Sequence, residues 1–135
     1  MRRYADPVAL RGAAWAWFAS VAVRRQLRTR RLEGVRVPPP PRLAPGATRG
    51  VLAMLRRRRD TCLVQASVRQ AWFAAQGEPR DLILGVTPPS AGFRAHAWLA
   101  GDAEDGAGDY TELSRRPASA VRAGVTSASG SSRAR

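Results

Sequence analysis

The residues with the clearest chemical potential in this chain are its single cysteine, Cys62, and its single histidine, His96. A cysteine thiolate attacks a carbonyl carbon when a histidine carries the proton, and a third group that accepts the second ring N–H orients the histidine. Five of the 10 acidic residues follow His96, between positions 102 and 112. This order of residue types fits a nucleophile, a base and an acid, and an inert structural cysteine is the alternative interpretation.

Three acids compete for the third position. A hairpin that turns at residues 102–103 places Asp109 directly opposite His96 and on the same face of the sheet. A turn centred on Glu104 places Glu112 there instead. We therefore predict Asp109 as the third catalytic residue, with Glu112 as the alternative and Asp105 as a more distant third.

The sequence predicts a helix that begins just before the cysteine and so positions the thiol. Asp60 or Thr61 can cap this helix, an apolar stripe follows at helical spacing, and Gly77 ends it. Cys62 then lies in the first turn, where unpaired N–H groups and the positive end of the helix dipole favour a thiolate.

Three short segments after this helix predict strands. Residues 82–86 form an apolar run between prolines, and residues 93–99 alternate so that His96 lies on the face opposite the simplest apolar one. Residues 109–113 follow a turn-forming stretch and predict a third strand. The histidine and the acids thus fall within the reach of one hairpin.

Two helices are predicted before the cysteine. The first covers residues 7–31, with Asp6 as its N-cap, and the second covers residues 47–59. The prolines between positions 38 and 45 favour an extended connector between the two helices. Both helices end in clusters of arginine, which either face solvent or dock an acidic partner.

Three blocks of this sequence resemble the transglutaminase-like leader peptidases of lasso-peptide biosynthesis. They are Thr-Cys-Leu-Val-Gln-Ala at 61–66, Leu-Ile-Leu-Gly-Val at 82–86 and Gly-Phe-Arg-Ala-His-Ala-Trp-Leu at 92–99. Their order and spacing also fit, and the resemblance covers residues 47–116. The Ala-His-Ala-Trp block together with an upstream Cys-Leu helix start is the most specific part of it.

The resemblance implies an α+β fold, namely a small papain- or transglutaminase-like core with N-terminal helices, a cysteine-bearing helix and a short antiparallel sheet. It implies a cysteine endopeptidase that removes the leader from a ribosomally made precursor peptide through an acyl-enzyme. Cys62 matches the nucleophile of the family and His96 its base. The implied partners are the precursor peptide, a small leader-recognition protein and a macrocycle-forming ligase.

The sequence departs from the family around the third residue. The family has a longer hairpin with an acid before the next element, whereas the loop 101–108 is short and acidic here. Gln65 stands three residues after the cysteine, where the family usually has Arg or Glu. Trp98 shields the site from water if the resemblance holds, and packs in the core otherwise.

The composition and charge of the chain bear on two further hypotheses for its function. The 23 basic residues are all arginine and exceed the 10 acidic ones by 13, and residues 1–60 carry +12 of this charge. An arginine-rich, lysine-free chain reflects coding bias, so charge alone is a weak indication of nucleic-acid binding, and we expect no specific nucleic acid. A basic nucleic-acid- or peptide-binding module that uses residues 24–31 and 56–59 is the second hypothesis, and a degenerate domain that binds the precursor without cleaving it is the third.

The length of 135 residues fits one small domain. We expect a basic helical segment with its Pro-rich linker at 1–46, the peptidase core at 47–116 and a disordered tail at 117–135. One cysteine and one histidine cannot furnish a four-ligand zinc site or an internal disulfide, so no metal or other cofactor is expected. The apolar run at 12–23 is too short to span a bilayer, and the arginines around it argue against export, which predicts a cytoplasmic protein.

Overall fold

A computed structural model of the chain describes residues 6–31, 34–88, 90, 92, 94–102 and 110–118. The described residues form three α-helices and three strands, which confirms the predicted α+β class. In chain order they are α1 (Pro7–Leu27), α2 (Thr48–Arg58), α3 (Cys62–Ala75), β1 (Leu82–Val86), β2 (Ala95–Leu99) and β3 (Thr111–Arg116), with a 3-10 turn (Pro45–Ala47) before α2. The predicted tail lies outside the described residues from position 119 onward.

Helix α1 begins as predicted and ends earlier. The Asp6 carboxylate accepts a hydrogen bond from the Val8 amide at 3.0 Å, and Pro7 occupies the first helical position. The helix ends at Leu27 rather than residue 31, because the Gln26 side chain bonds both the amide and the carbonyl of Arg36 and the chain turns back. Among the described residues no helix is long and apolar enough to cross a bilayer.

The three helices share one apolar core. Trp15 of α1 packs against Trp72 of α3, with the two ring centroids 5.7 Å apart. Helices α1 and α2 approach so closely that a Cβ on Gly50 would lie 1.8 Å from the Ala9 carbonyl oxygen, and a Cβ on Gly12 would lie 2.6 Å from that of Ala47. The backbones of the two helices are therefore in direct contact at these glycines.

The Pro-rich connector runs along α1. The Trp15 indole donates to the carbonyl of Pro38 at 3.2 Å, and Val35 is fully buried in the helical core. The Arg116 guanidinium at the end of β3 donates to the Val35 carbonyl at 2.9 Å. The connector is thus tied both to the first helix and to the last strand.

The sheet has the order β2-β1-β3, and both strand pairs are antiparallel. The predicted hairpin between the second and third strands is therefore wrong, because β1 lies between them. β1 is apolar throughout, so it needs a neighbour on each side and a layer on its face, whereas β3 is exposed along five of its six residues and suits an edge. Leu82 of β1 packs with Ala97 and Leu99 of β2 against Ala66 of α3.

Candidate active site

Cys62 is the first residue of α3. Thr61 is the N-cap, in extended conformation, and its hydroxyl accepts a hydrogen bond from the Val64 amide at 3.3 Å. The Gln65 side chain reaches back to the carbonyl of Asp60 at 2.7 Å and fixes the entry of the chain into the helix. Of the two caps that the sequence allowed, Asp60 and Thr61, the structure uses Thr61, and the prediction that Cys62 lies in the first turn of this helix is confirmed.

The cysteine sulfur lies against strand β2. The amide of Ala97 donates a hydrogen bond to the half-buried Cys62 sulfur at 3.3 Å, which joins residues 35 positions apart. An N–H aimed at a sulfur stabilises negative charge on that atom, as does the start of a helix. The fold therefore brings the cysteine to the residue that directly follows His96.

The His96 ring lies in an aromatic cluster. Its centroid is 5.7 Å from that of Trp98, in a stacked arrangement, and 5.4 Å from that of Tyr110. Ala97 packs toward α3, so strand alternation puts His96 and Trp98 on the opposite face, as predicted for His96. Among the hydrogen bonds of the described residues, none joins the Cys62 sulfur to the His96 ring, so direct proton transfer between them needs a closer approach of the two side chains.

Gly85 makes room for this cluster in the centre of β1. A Cβ at this position would lie 2.8 Å from the Trp98 ring and 3.1 Å from the carbonyl oxygen of Thr111. Gly85 also pairs with His96 across the sheet. Gly85 and Tyr110 were not among the predicted site residues, although a glycine inside an apolar strand is a recognised sign of close approach by a neighbouring group.

We expect Gly85→Ala to destabilise the protein by about 1–3 kcal/mol, because the added methyl group overlaps the Trp98 ring and a backbone oxygen. Urea unfolding measures the loss, and the tryptophan emission of the folded state reports displacement of the ring. Gly46→Ala is the matched control, because a Cβ there meets nothing within 4 Å, and its effect should stay within about 0.5 kcal/mol. Equal stability of the two variants would contradict this packing.

The candidates for the third residue fall in different places. Asp109 and Asp105 lie outside the described residues, but Tyr110, which follows Asp109 in the sequence, contacts the His96 ring. Glu112 is on β3, where Arg115 holds its carboxylate with two hydrogen bonds at 2.9 and 3.1 Å. These bonds lower the pKa of Glu112 below its ordinary value.

The strand order also separates Glu112 from the histidine. Gly85 is the register partner of His96 on one side and of Glu112 on the other. Two strand spacings, about 10 Å, therefore lie between their backbones. Because β2 and β3 do not pair, the hairpin register no longer distinguishes between the candidate acids.

Asp102 anchors the end of β2 to α3. Its carboxylate accepts hydrogen bonds from the Arg69 guanidinium at 2.7 and 3.2 Å and from the Leu99 amide at 3.0 Å, and Arg80 lies 3.6 Å away. Partial burial by itself would raise the pKa of Asp102, but the bonds from Arg69 and Leu99 and the two positive charges outweigh it and hold this pKa below its ordinary value. This carboxylate is a structural anchor for the strand that carries His96.

Asp102→Asn should lower the free energy of unfolding by about 1–3 kcal/mol at pH 7. A carboxyl whose folded pKa is depressed contributes stability above its unfolded pKa of about 4, and this contribution is lost as the pH falls through the folded value. The difference between wild type and variant should therefore shrink as the pH falls below about 4 in urea unfolding. Glu78→Gln, at an exposed carboxylate, is the control, and a difference that does not vary with pH would contradict the ion pair's role.

Comparisons with known proteins bear on this arrangement. Neither a search of curated proteins nor a search of solved structures found a match for the chain. A family model does match, over residues 8–116, and its description is the transglutaminase-like superfamily. The matched region covers most of the chain, runs from α1 to the end of β3 and contains both Cys62 and His96. The chain therefore belongs to the transglutaminase-like superfamily.

Proposed function

We propose that this protein is a cysteine peptidase that removes the leader from a ribosomally made precursor peptide during lasso-peptide maturation. The observation that carries the proposal is the Cys62 sulfur at the start of α3, hydrogen-bonded by the amide of Ala97 next to His96. Membership in the transglutaminase-like superfamily and the three sequence blocks around these residues support it. Cys62 is the proposed nucleophile and His96 the proposed base.

The reaction follows from these two groups. The Cys62 thiolate attacks the scissile carbonyl carbon, and the oxyanion that forms accepts a hydrogen bond from the Cys62 amide, since the first N–H groups of a helix have no intrahelical partner. The C–N bond breaks as protonated His96 gives its proton to the leaving amine, which leaves a thioester. His96 then takes a proton from the attacking water, the thioester is hydrolysed, and the leader departs with a new carboxylate.

The proposal includes the setting in which this reaction occurs. The peptidase works in the cytoplasm, where a reducing environment keeps the single thiol free. It acts with a small leader-recognition protein and a macrocycle-forming ligase, and it needs no cofactor. A precursor gene beside genes for these two partners would be the matching genomic context.

Reconstitution tests the function directly. The protein is incubated with the precursor peptide encoded beside its gene and with the neighbouring leader-recognition protein, and mass spectrometry follows the products. We expect two fragments from a single cut between leader and core. An intact precursor after prolonged incubation with both proteins folded would refute the proposal.

Two variants separate the acids that could orient His96. If Asp109 orients His96, Asp109→Asn should reduce leader cleavage by about 100-fold, because that carboxylate then also supports the imidazolium. Glu112→Gln should change the rate by less than about 3-fold, because Arg115 already holds that carboxylate and β1 separates it from His96. Rates are measured on the precursor with its recognition protein present. If both variants and Asp105→Asn keep full activity, the site is a dyad of Cys62 and His96.

One observation favours a second candidate function, a domain that binds the precursor without cleaving it. The His96 ring contacts Trp98 and Tyr110, and no hydrogen bond among the described residues links it to the sulfur. A peptide electrophile that acylates thiolates distinguishes the two functions. Stoichiometric labelling of Cys62 followed by turnover indicates a peptidase, and tight binding of the precursor without labelling indicates a binding domain.

A further inference from the structure

A basic cavity of about 500 Å³ lies beside the start of α3. It forms where the C-terminal ends of α1 and α2 meet the N-terminal end of α3. Its walls are Arg24, Leu27, Arg28, Arg58, Arg59, Asp60, Thr61 and Val64. Four arginines and one aspartate thus surround a space large enough for one or two amino-acid side chains.

The charges of this cavity, which we call the arginine pocket, do not balance. The Asp60 side chain is almost fully buried and pairs with Arg58 at 2.6 Å and with Arg24 at 3.5 Å. Arg28 and Arg59 form no ion pair among the described residues. The pocket therefore has positive charge in excess and two guanidinium groups available for an anionic ligand.

Arg59 stands where the backbone favours glycine. Its φ of 54° and ψ of 35° are left-handed, and it is the one non-glycine residue with positive φ in the described part of the chain. Glycine commonly ends a helix in this conformation because it has no Cβ penalty. An arginine at this position lowers the folding stability relative to glycine. A function of its side chain in the pocket would explain why an arginine stands there.

An exposed tryptophan contacts Arg58, one of the residues that line the pocket. The Trp17 side chain on α1 is 50% exposed, and the guanidinium carbon of Arg58 lies 5.9 Å from its ring centroid. Leu27 and Val64 supply apolar wall within the pocket itself. A ligand for this surface therefore combines a negative group with an adjacent apolar one.

We propose that the arginine pocket binds an acidic side chain of the peptide on which this protein acts, with a neighbouring apolar side chain against Trp17. Pocket residues Asp60 and Thr61 directly precede Cys62, so the pocket wall begins within about 8 Å of the nucleophile's Cα. In an extended peptide this distance corresponds to about two residues from the scissile bond. That placement rests on the proposed function, whereas binding of the acidic peptide does not.

A carboxylate fits the pocket better than a phosphate chain. The guanidiniums of Arg24 and Arg58 already hold one carboxylate, and Asp60 repels a doubly charged phosphate monoester more strongly than a singly charged carboxylate. Nucleic acids are bound through extended basic grooves with repeated phosphate contacts, whereas this site is a single concave cavity whose basic wall is interrupted by Leu27 and Val64. Single-stranded DNA is accordingly the competing ligand in the test.

Fluorescence anisotropy on the Cys62→Ala protein tests binding without cleavage. The probe is a fluorescein-labelled octapeptide of alternating glutamate and leucine, and its glutamine counterpart is the reference. We expect the glutamate peptide to bind at least about 10-fold more tightly at 0.15 M salt. Arg28→Gln with Arg59→Gly should weaken its binding by about 10-fold or more, whereas Arg56→Gln with Arg57→Gln, which removes equal charge outside the pocket walls, should weaken it less than about 2-fold.

Equal weakening by the two double variants would overturn the proposal, because long-range charge alone would then explain binding. Tighter binding of a 20-nucleotide oligothymidine with the same dependence on Arg28 and Arg59 would also overturn it. Arg59→Gly alone should weaken binding while leaving the thermal midpoint unchanged or higher, so a folding defect cannot imitate the result. If the protein cleaves the leader but shows no preference for glutamate in the peptide, the proposed role of the pocket is refuted and the peptidase function is not. If the protein binds the glutamate peptide but does not cleave the precursor, only the peptidase function is refuted.

Discussion

We expect Cys62→Ala to lower kcat/KM for the proposed leader removal by about 10⁴-fold or more, because no other thiol exists in the chain to form the acyl-enzyme. The alternative route, direct attack by water, lacks the nucleophile and keeps only the help of substrate binding and the oxyanion donor. Product formation from the precursor is measured by mass spectrometry at enzyme concentrations high enough to detect single turnover. An activity above about a tenth of wild type would contradict a role for Cys62 as nucleophile.

Because Cys62 is the single cysteine of the chain, thiol labelling reports on this residue alone. A fluorescent peptide electrophile should label the wild type once per chain and the variant not at all. The thermal midpoint of the variant should remain close to that of the wild type, since the half-buried Cys62 side chain gives up one hydrogen bond from Ala97 and a small volume. Loss of activity with preserved folding then isolates the chemical contribution of the sulfur.

His96→Ala should reduce kcat by about 10³-fold, because the base that carries the proton between thiol, leaving amine and water is removed. The KM for the precursor should change little if the histidine contributes to proton transfer and not to peptide binding. Alkylation of Cys62 by iodoacetamide at pH 6.5 should also slow, since in the proposed mechanism a protonated His96 beside the sulfur stabilises the thiolate. Steady-state cleavage and the alkylation rate measure these two effects separately.

Trp98→Phe is the matched control for the histidine. It perturbs the aromatic cluster around the His96 ring but retains the ring itself. We expect a loss of less than about 10-fold, because a positioning contact is weaker than removal of the base. Equal losses in His96→Ala and Trp98→Phe would indicate that His96 supports the fold of the sheet and does not transfer protons.

Local sequence signals predicted the elements on which the candidate site depends. A capping threonine before an apolar helical stripe is a short-range pattern, and the helix does begin at Cys62. The apolar run at Leu82–Val86 also forms the predicted strand. The alternation of side chains along β2 correctly predicted that His96 lies on the face opposite Ala97 and Leu99. These features depend on residues that are close together in the sequence. They could therefore be predicted from the sequence alone.

Features that depend on distant residues were not predictable in the same way. The order β2-β1-β3 follows from which strand needs two neighbours, and the assumption that consecutive strands pair led to the wrong hairpin. The early end of α1 depends on Gln26 bonding Arg36, a contact that no helical pattern contains. The aromatic contacts of His96 depend on Gly85 and Tyr110, which reach the cluster from two other parts of the chain.

The contact between α1 and α2 at Gly12 and Gly50 has a consequence for ligand affinity. Helices whose backbones touch cannot slide past each other without a steric collision, so their relative position is fixed by the polypeptide itself. Both helices contribute walls to the arginine pocket from their C-terminal ends. The two helix ends that line the pocket are therefore fixed relative to each other before a ligand binds. A ligand meets a preorganised site and loses little affinity to the entropy cost of ordering the helices around it.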